Sequence, residues 1–346
     1  MDTNLENPFA CGAIEREPTA SDIAIGAVTP QQAIPPTYMV DGYGIEIENQ
    51  GQQPACGAHA GYEVASIFKT VERKSVFHGS PKYLWDRIKM IDGYAPKDGT
   101  DMPSIMKTLA TYGICDISLM PNTVTQSLAD YSAASNVTGE MDANAANNKI
   151  GPIYAFGWSP TFEQLKEAIY AHGAVVLLAK IGAEFWLPSF AEADLLPLKP
   201  NTYPITSGHF ITAFGYDQNY IYFYNHWGNK WGRAGIGYFG QDYVGRILEY
   251  GTSTNLAGKF TFQNDLKLGS TGSDVSVLQL VLRQLGFFPK TQKITGLFGS
   301  ITLQAVKDFQ QAYAADILTP AGATSPTGMV LHFTRAKLNE LITKTN

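Results

Sequence analysis

The apolar pattern divides the chain into three stretches of different character. Residues 1–40 show little periodicity and carry five prolines, which predicts an extension rather than a packed unit. Beyond it, helical spacing runs over 56–73, 80–91, 101–112 and 161–172. Continuous apolar runs then read as strands: AVVLLAKI (174–181), FITAFGY (210–216) and YIYFYN (220–225). Helices come mainly first and strands later, which predicts an α+β fold instead of alternating βαβ units. The last stretch changes again. DVSVLQLVLRQLG, ITLQAVKDFQQAY and TRAKLNELI each place apolar residues at i, i+3, i+4 and i+7, so they predict three short amphipathic helices. Between them the pattern T-G-x-[FV]-x-x-x-T occurs twice, at 295–302 and 327–334, as in one small helical module built twice. AADILTPAGATSPTG (314–328) is longer than a compact connection needs and is expected to be a flexible insertion. The predicted division is an extension at 1–40, a domain at 41–255, a linker at 256–265 and a helical domain at 266–346.

Composition narrows the functional classes. At 346 residues and 45% hydrophobic content, the chain can bury more than one core. A net charge of −6 offers no basic surface for phosphates, so nucleic acid is not expected as a partner. No apolar run is long enough to span a membrane, and no membrane partner is expected. The start, MDTNLENPFACGAIEREP, is acidic and lacks a basic region followed by an apolar one, which argues against an ordinary secretory signal. No Cys or His pair has zinc-ligand spacing, so neither metal nor cofactor is expected. Three cysteines, Cys11, Cys56 and Cys115, form no disulfide scaffold and leave at least one thiol free. A Cys11–Cys115 pairing is the minor alternative. Cys115, in YGICD, is expected to be structural.

The candidate chemistry centres on N-Q-G-Q-Q-P-A-C-G-A-H-A (49–60). A Gln-Gly turn precedes Cys56, and Cys56 opens the helix whose inward positions include Val64, Ile67 and Phe68. A thiol there has its thiolate stabilised by the helix dipole and the free N–H groups of the first turn. It also needs a base within hydrogen-bond reach. S-G-H-F-I-T-A-F-G-Y-D (207–217) puts His209 at the head of a strand, 153 residues beyond Cys56. N-H-W-G-N-K-W-G-R-A-G-I-G-Y-F (225–239) puts Asn225 a further 16 along, after the next strand. Adjacent antiparallel strands can bring an Asn amide oxygen onto the imidazole and fix its tautomer. His59 reads as a packed or solvent-facing helix residue. His226, next to Asn225, reads as pointing to the opposite face and to the surface.

These strings resemble the papain and cathepsin family of cysteine peptidases, in which the Cys comes first and His and Asn follow far downstream. The resemblance covers about residues 45–250. It rests most on N-x-W-G-x-x-W-G-x-x-G-x-G, then on Q-G…C and G-H-x-x-x-x-x-G-Y-D. It implies a two-lobed domain with a helical left lobe and a β-rich right lobe. It also implies Cys56 as nucleophile, His209 as base, Asn225 as its orienting partner and Gln50 as the oxyanion-hole amide. Trp227 would cover the His–Asn contact. The resting pair would be thiolate and imidazolium. One departure leaves two registers open: C-G-A-H-A replaces C-G-[SA]-C-[WY], so His59 can be matched to the nucleophile. The spacing of six from Gln50 to Cys56 favours Cys56. Under that register Gln53 replaces a structural cysteine of the family, and Gly57 replaces the aromatic that follows the nucleophile.

C-G-A occurs at 11–13 as well as at 56–58. That raises the reading that the 1–40 segment crosses the cleft and blocks Cys56, as propeptides do in this family, although it is shorter than the usual pro-region. Residues 266–346 resemble a three-helix peptidoglycan-binding domain, through G-S-x-G-x-D-V-x-x-L-Q, T-G-x-F-G-x-x-T-x-x-A-V-x-x-F-Q and T-R-x-x-L-N. The combined expectation is a cysteine endopeptidase acting on proteins or peptides and held to the bacterial cell wall. It would act outside the cytoplasm, reached by non-standard export, by lysis or in association with phage. Two alternatives stay open: an inactive papain-like binding protein, and a hydrolase of peptidoglycan stem peptides.

Overall fold

The computed structural model describes residues 10–19, 22–29, 33–40, 43–151, 153–186, 198, 203–254, 262–289, 292 and 295–344. The chain divides into two compact units. One comprises Met1–Pro18 and Ala33–Thr254, the other Thr19–Gln32 and Asn255–Asn346. The N-terminal forty residues are therefore shared between them. In chain order the elements up to residue 254 are α1 (Ile25–Val28), β1 (Tyr38–Met39), α2 (Cys56–Arg73), α3 (Pro81–Lys89), α4 (Met102–Thr111), α5 (Leu128–Tyr131) and α6 (Gly139–Ala146). Then follow β2 (Ile153–Trp158), α7 (Phe162–His172), β3 (Val175–Ile181), β4 (Ser207–Tyr216), β5 (Tyr220–Tyr224), β6 (Ile236–Gly240) and β7 (Ile247–Thr254). All but α1 belong to the first unit.

Local sequence explains the helix starts. Ser80 accepts from the Tyr83 N–H with Pro81 just inside, and Asp101 accepts from the Ser104 N–H. Thr161 and Gln164 form a capping box at α7. The strands form one antiparallel sheet in the order β2-β7-β3-β4-β5-β6, with β1 paired to β4. The described fold is thus α+β, helices first and sheet later. Strands β2, β6 and β7 were not among the sequence expectations. The Tyr, Gly and Thr in them dilute the apolar runs that mark β3 and β4.

Helix α2 joins the two halves of the core. Every residue from Cys56 to Ile67 is buried, and the Thr212 hydroxyl of β4 donates to the Ala60 carbonyl at 3.1 Å. Gln53, just before α2, is tied down through its side chain. The Gln53 amide donates to the carbonyls of Val124 (3.2 Å) and Gln126 (2.9 Å). Two such bonds contribute roughly 1 kcal/mol each, against roughly 2–4 for a disulfide. They hold the 124–126 loop at the base of the site without redox chemistry. Gly57 has no room for a side chain: a Cβ there would meet Thr100 Cγ2 at 2.5 Å and Ile105 Cδ1 at 2.9 Å. Those two side chains fill the space beside Gly57.

The second unit carries α1, α8 (Ser273–Gln284), α9 (Ser300–Ala312), α10 (Ala314–Ile317) and α11 (His332–Lys344), with α1 packed on α8. The internal repeat has a physical basis. Gln279 of α8 accepts from the N–H groups of Thr295 and Gly296, and donates to the Leu297 carbonyl and the Thr302 hydroxyl. Gln310 of α9 does the same one module later, accepting from the Gly328 N–H and donating to the Met329 carbonyl and Thr334 hydroxyl. The segment 314–328 is folded rather than a loose insertion, because Ile317 of its short helix and Leu318 just after it are buried at 2% and 7% exposure. The predicted linker lies mostly outside the described residues. Among the described residues no helix is long and apolar enough to cross a membrane.

Candidate active site

Cys56 is the first residue of α2, and its side chain is fully buried. His209 lies in β4, paired across β3 with Ala179. Asn225 follows β5, the strand paired with β4. Asn225 is also fixed by its own N–H, which donates to the Gly235 carbonyl at 2.8 Å. The antiparallel pairing puts Asn225 Oδ1 2.9 Å from His209 Nε2. With that oxygen as acceptor, the Nε2 carries the proton and Nδ1 faces the cleft as an acceptor. Trp227 lays its ring 4.9 Å from the His209 ring, and Phe185 stands edge-on 6.0 Å from both. The second Trp of the motif, Trp231, donates its indole N–H to the Phe185 carbonyl at 2.6 Å and so holds Phe185 in place.

Gln50 is positioned by backbone pairing with the segment that carries Trp227. Asn49 bridges Trp227, and the Gln50 N–H donates to the His226 carbonyl at 2.9 Å. The Gln50 amide donates to the Gln53 carbonyl at 2.9 Å and to the Ala10 carbonyl at 2.6 Å. Two residues later the Gly12 N–H points at Cys56 Sγ, 3.4 Å away. Between them Cys11 Sγ lies 3.7 Å from His209 Nδ1. The strap then pairs with Thr100: the Thr100 N–H donates to the Gly12 carbonyl and the Ile14 N–H to the Thr100 carbonyl, both at 2.9 Å. Residues 10–16 therefore run along the cleft as a backbone strap. Gly12 is required for this approach, since a Cβ there would meet the Pro54 carbonyl oxygen at 2.2 Å.

The strap changes the electrostatics. Burial pushes the Cys56 thiol up, outweighing the N–H groups of Phe210, Gly12 and Gly57 that favour the thiolate. Burial, helped by the neighbouring His226, holds His209 well below its ordinary value. Among the described residues Cys56 makes no hydrogen bond to His209. In place of the expected thiolate–imidazolium pair, the closed cleft favours a neutral thiol and a neutral imidazole. The physical reason is exclusion of water, with His226 beside His209 adding to it.

Three further residues under the site differ in visibility from the sequence. His226 is buried, not on the surface: its ring packs 5.0 Å from that of His209, and its Nδ1 is 3.4 Å from Glu63 Oε1. Glu63, buried at the middle of α2, is the residue that sequence reasoning missed. Only a charged residue on an otherwise inward helix face signalled it. His59 is packed, with Nδ1 3.0 Å from the Ala55 carbonyl oxygen and Nε2 3.2 Å from the Asn122 amide. Both of its ring nitrogens thus have structural partners. None of the three cysteines forms a disulfide, so the minor alternative of a Cys11–Cys115 bridge is not seen. Cys115 is buried, and its thiol is pushed up to about 12 by burial. Among the described residues no cluster of His, Cys, Asp or Glu could hold a metal ion.

Comparison with known proteins agrees with these two units. Residues 271–314 match the family model of a putative peptidoglycan binding domain. Among solved structures the chain is similar to xylellain, a cysteine protease from Xylella fastidiosa, with a TM-score of 0.59 at 18% identity over 73% of this chain and 99% of that one. It is also similar to digestive procathepsin L 3 of the Tenebrio molitor larval midgut, with a TM-score of 0.54 at 18% identity over 67% and 74% of the two chains. The first unit has the papain-like fold, followed in the chain by a peptidoglycan-binding-type helical domain. No curated protein sequence matches the chain.

Proposed function

We propose that the protein is a cysteine endopeptidase, latent while residues 10–16 lie in its cleft, and held at the cell wall by its C-terminal unit. One observation carries this reading most: the Gln50 amide already donates to a peptide carbonyl, that of Ala10, at 2.6 Å, with Cys56 facing the same backbone two residues on. A substrate carbonyl bound in that way would sit between the Gln50 amide and the Cys56 N–H, two preorganised donors for an oxyanion. With the strap gone, water and the freed Nδ1 of His209 favour transfer of the thiol proton to His209. The thiolate attacks the carbonyl carbon, and the oxyanion forms on the Gln50 side. Collapse of the tetrahedral adduct breaks the C–N bond, and the imidazolium gives its proton to the leaving amine. Water, deprotonated by His209, then hydrolyses the thioester and restores the thiol. Asn225 keeps the imidazole in the required tautomer throughout, and Trp227 shields that bond.

The C-terminal unit supplies local concentration at the wall without adding a catalytic contact. Wall-associated proteins are the favoured substrates. Stem-peptide hydrolysis is a second reading, favoured only by the appended unit. A thiol-directed epoxide tests the site and the strap together. Gly12→Leu, in the full chain, cannot seat against Pro54. It is expected to be labelled at Cys56 at least ~tenfold faster than wild type, as a group opened from burial gains access. Equal rates in the two chains would remove the latency, and no labelling of Cys56 in either would remove the nucleophile.

A further inference from the structure

The strap carries more chemistry than blocking needs. Its hold on the site is made by backbone: the Ala10 carbonyl on the Gln50 amide at 2.6 Å, and the Gly12 N–H on Cys56 Sγ at 3.4 Å. Any small side chain between those two contacts would serve. The residue there is a cysteine, and its Sγ lies 3.7 Å from His209 Nδ1. Two thiols therefore share one cleft with one imidazole. Cys56 is buried, Cys11 is partly exposed, and neither is in a disulfide. The Gly12 nitrogen is two bonds from Cys11 Cα, about 2.4 Å away, so that Cα lies within about 6 Å of the Cys56 sulfur. A disulfide spans about 4.4–6.8 Å between its Cα atoms. Rotation of Cys11 about χ1, away from His209 and towards Cys56, is the movement that joins the two sulfurs. The repeated C-G-A has a cause here as well. A Cβ on Gly12 would meet the Pro54 carbonyl oxygen at 2.2 Å, and one on Gly57 would meet Thr100 Cγ2 at 2.5 Å. Thr100 is the residue with which the strap pairs. A glycine after each cysteine lets the two segments approach.

We propose that Cys11 and Cys56 are a redox pair: a peroxide joins them in a disulfide that locks the strap over the site, and a thiol reductant releases it. Cys11, the exposed member, reacts first. Its proton passes to His209 Nδ1, its sulfur bonds to one peroxide oxygen, and the O–O bond breaks. The departing hydroxide takes the proton from His209 and leaves as water, and Cys11 is now a sulfenic acid. The Cys56 sulfur then attacks the Cys11 sulfur. The S–O bond breaks, and the departing hydroxide takes the Cys56 proton as a second water. The two sulfurs lose two electrons, and the peroxide gains them. The bridge keeps Cys56 from the irreversible sulfinic and sulfonic acids. It also turns a displaceable strap into a covalent one. Two molecules of a monothiol, or one of a dithiol, return both cysteines to thiols and are themselves oxidised to a disulfide. The inference deepens the latency reading and rests on it only in taking residues 10–12 to lie over Cys56.

Its test has an arm that needs no turnover. The full-length chain is treated with one equivalent of hydrogen peroxide, quenched in acid to stop thiol exchange, and digested without reductant for mass spectrometry. A Cys11–Cys56 bridge within one chain is expected as the main product, and dithiothreitol is expected to reverse it. In Cys11→Ser no bridge to Cys56 is expected. In Gly12→Leu, where the strap cannot seat, the bridge is expected to form at least ~tenfold more slowly, because the effective concentration of one thiol at the other falls. A bridge to Cys115, a bridge only between chains, sulfinic acid without a bridge, or thiols left unreacted in wild type overturns the proposal. Equal rates in wild type and Gly12→Leu overturn it too, since the strap would then not be what brings the thiols together. In the second arm Gly12→Leu is offered a peptide library. No cleavage there, beside a bridge in wild type, would sink the peptidase reading and leave the redox pair standing. Cleavage there, with no bridge in wild type, would do the reverse.

Discussion

At the scale of single residues, the site is a group of buried titratable side chains on one side of a helix and one edge of two strands. Burial holds His59 down at about 4 and His226 at about 3, and holds His209 well below the ordinary 6.5. Each is lowered in the folded state, so below about 6.5 the unfolded chain binds more protons, and stability falls as pH falls. Glu63 opposes them. Burial raises it to about 8, so its contribution is full below about 4.5 and fades as pH rises towards 8. Three histidines outweigh one carboxyl between 4.5 and 6.5. The melting temperature is expected to drop as pH falls through that window, and less steeply in His59→Gln. A flat profile in wild type would contradict this. That His209, Asn225 and Trp227 lie together was legible, because each sits in a string whose spacing carries meaning. Glu63 and the burial of His226 were not, since one depends on which helix face meets β4 and the other on how the chain turns after β5.

At the scale of elements, the longer helices α2, α3, α4 and α7 and the strands with unbroken apolar runs could be read directly, whereas the short α1, α5 and α6 could not. Strands β2, β6 and β7 could not, because their partners in the sheet supply what their own composition lacks. The repeated T-G-x-[FV]-x-x-x-T was visible as a pattern, but its cause was not. A buried glutamine from the preceding helix ties each copy to the next helix. Gln310→Ala would leave the Gly328 N–H, the Met329 carbonyl and the Thr334 hydroxyl without the partner they have here. A loss of about 1–3 kcal/mol is expected in the unfolding of the second unit, followed by urea titration, with the transition of the first unit unmoved. An unchanged second transition would mean that the clamp does not hold the repeat together.

At the scale of the whole molecule, the N-terminal forty residues do two jobs. Residues 10–18 lie in the papain-like unit, and Thr19–Gln32 belong to the unit that contains the peptidoglycan-binding match. Deleting 1–40 would therefore disturb both units, whereas Gly12→Leu alters only the seating of the strap. The repeat of C-G-A at 11–13 and 56–58 hinted that the two segments meet. It could not reveal that Cys11 faces His209 or that Arg16 reaches Glu249, contacts made across about 200 and 230 residues of chain. The central claim is that Cys56 hydrolyses peptide bonds once the strap is displaced. Its most direct measurement is cleavage of a peptide library by the full-length Gly12→Leu chain, with and without Cys56→Ala. Cleavage by the first and none by the second is the predicted result; equal cleavage by both, or by neither, would contradict it.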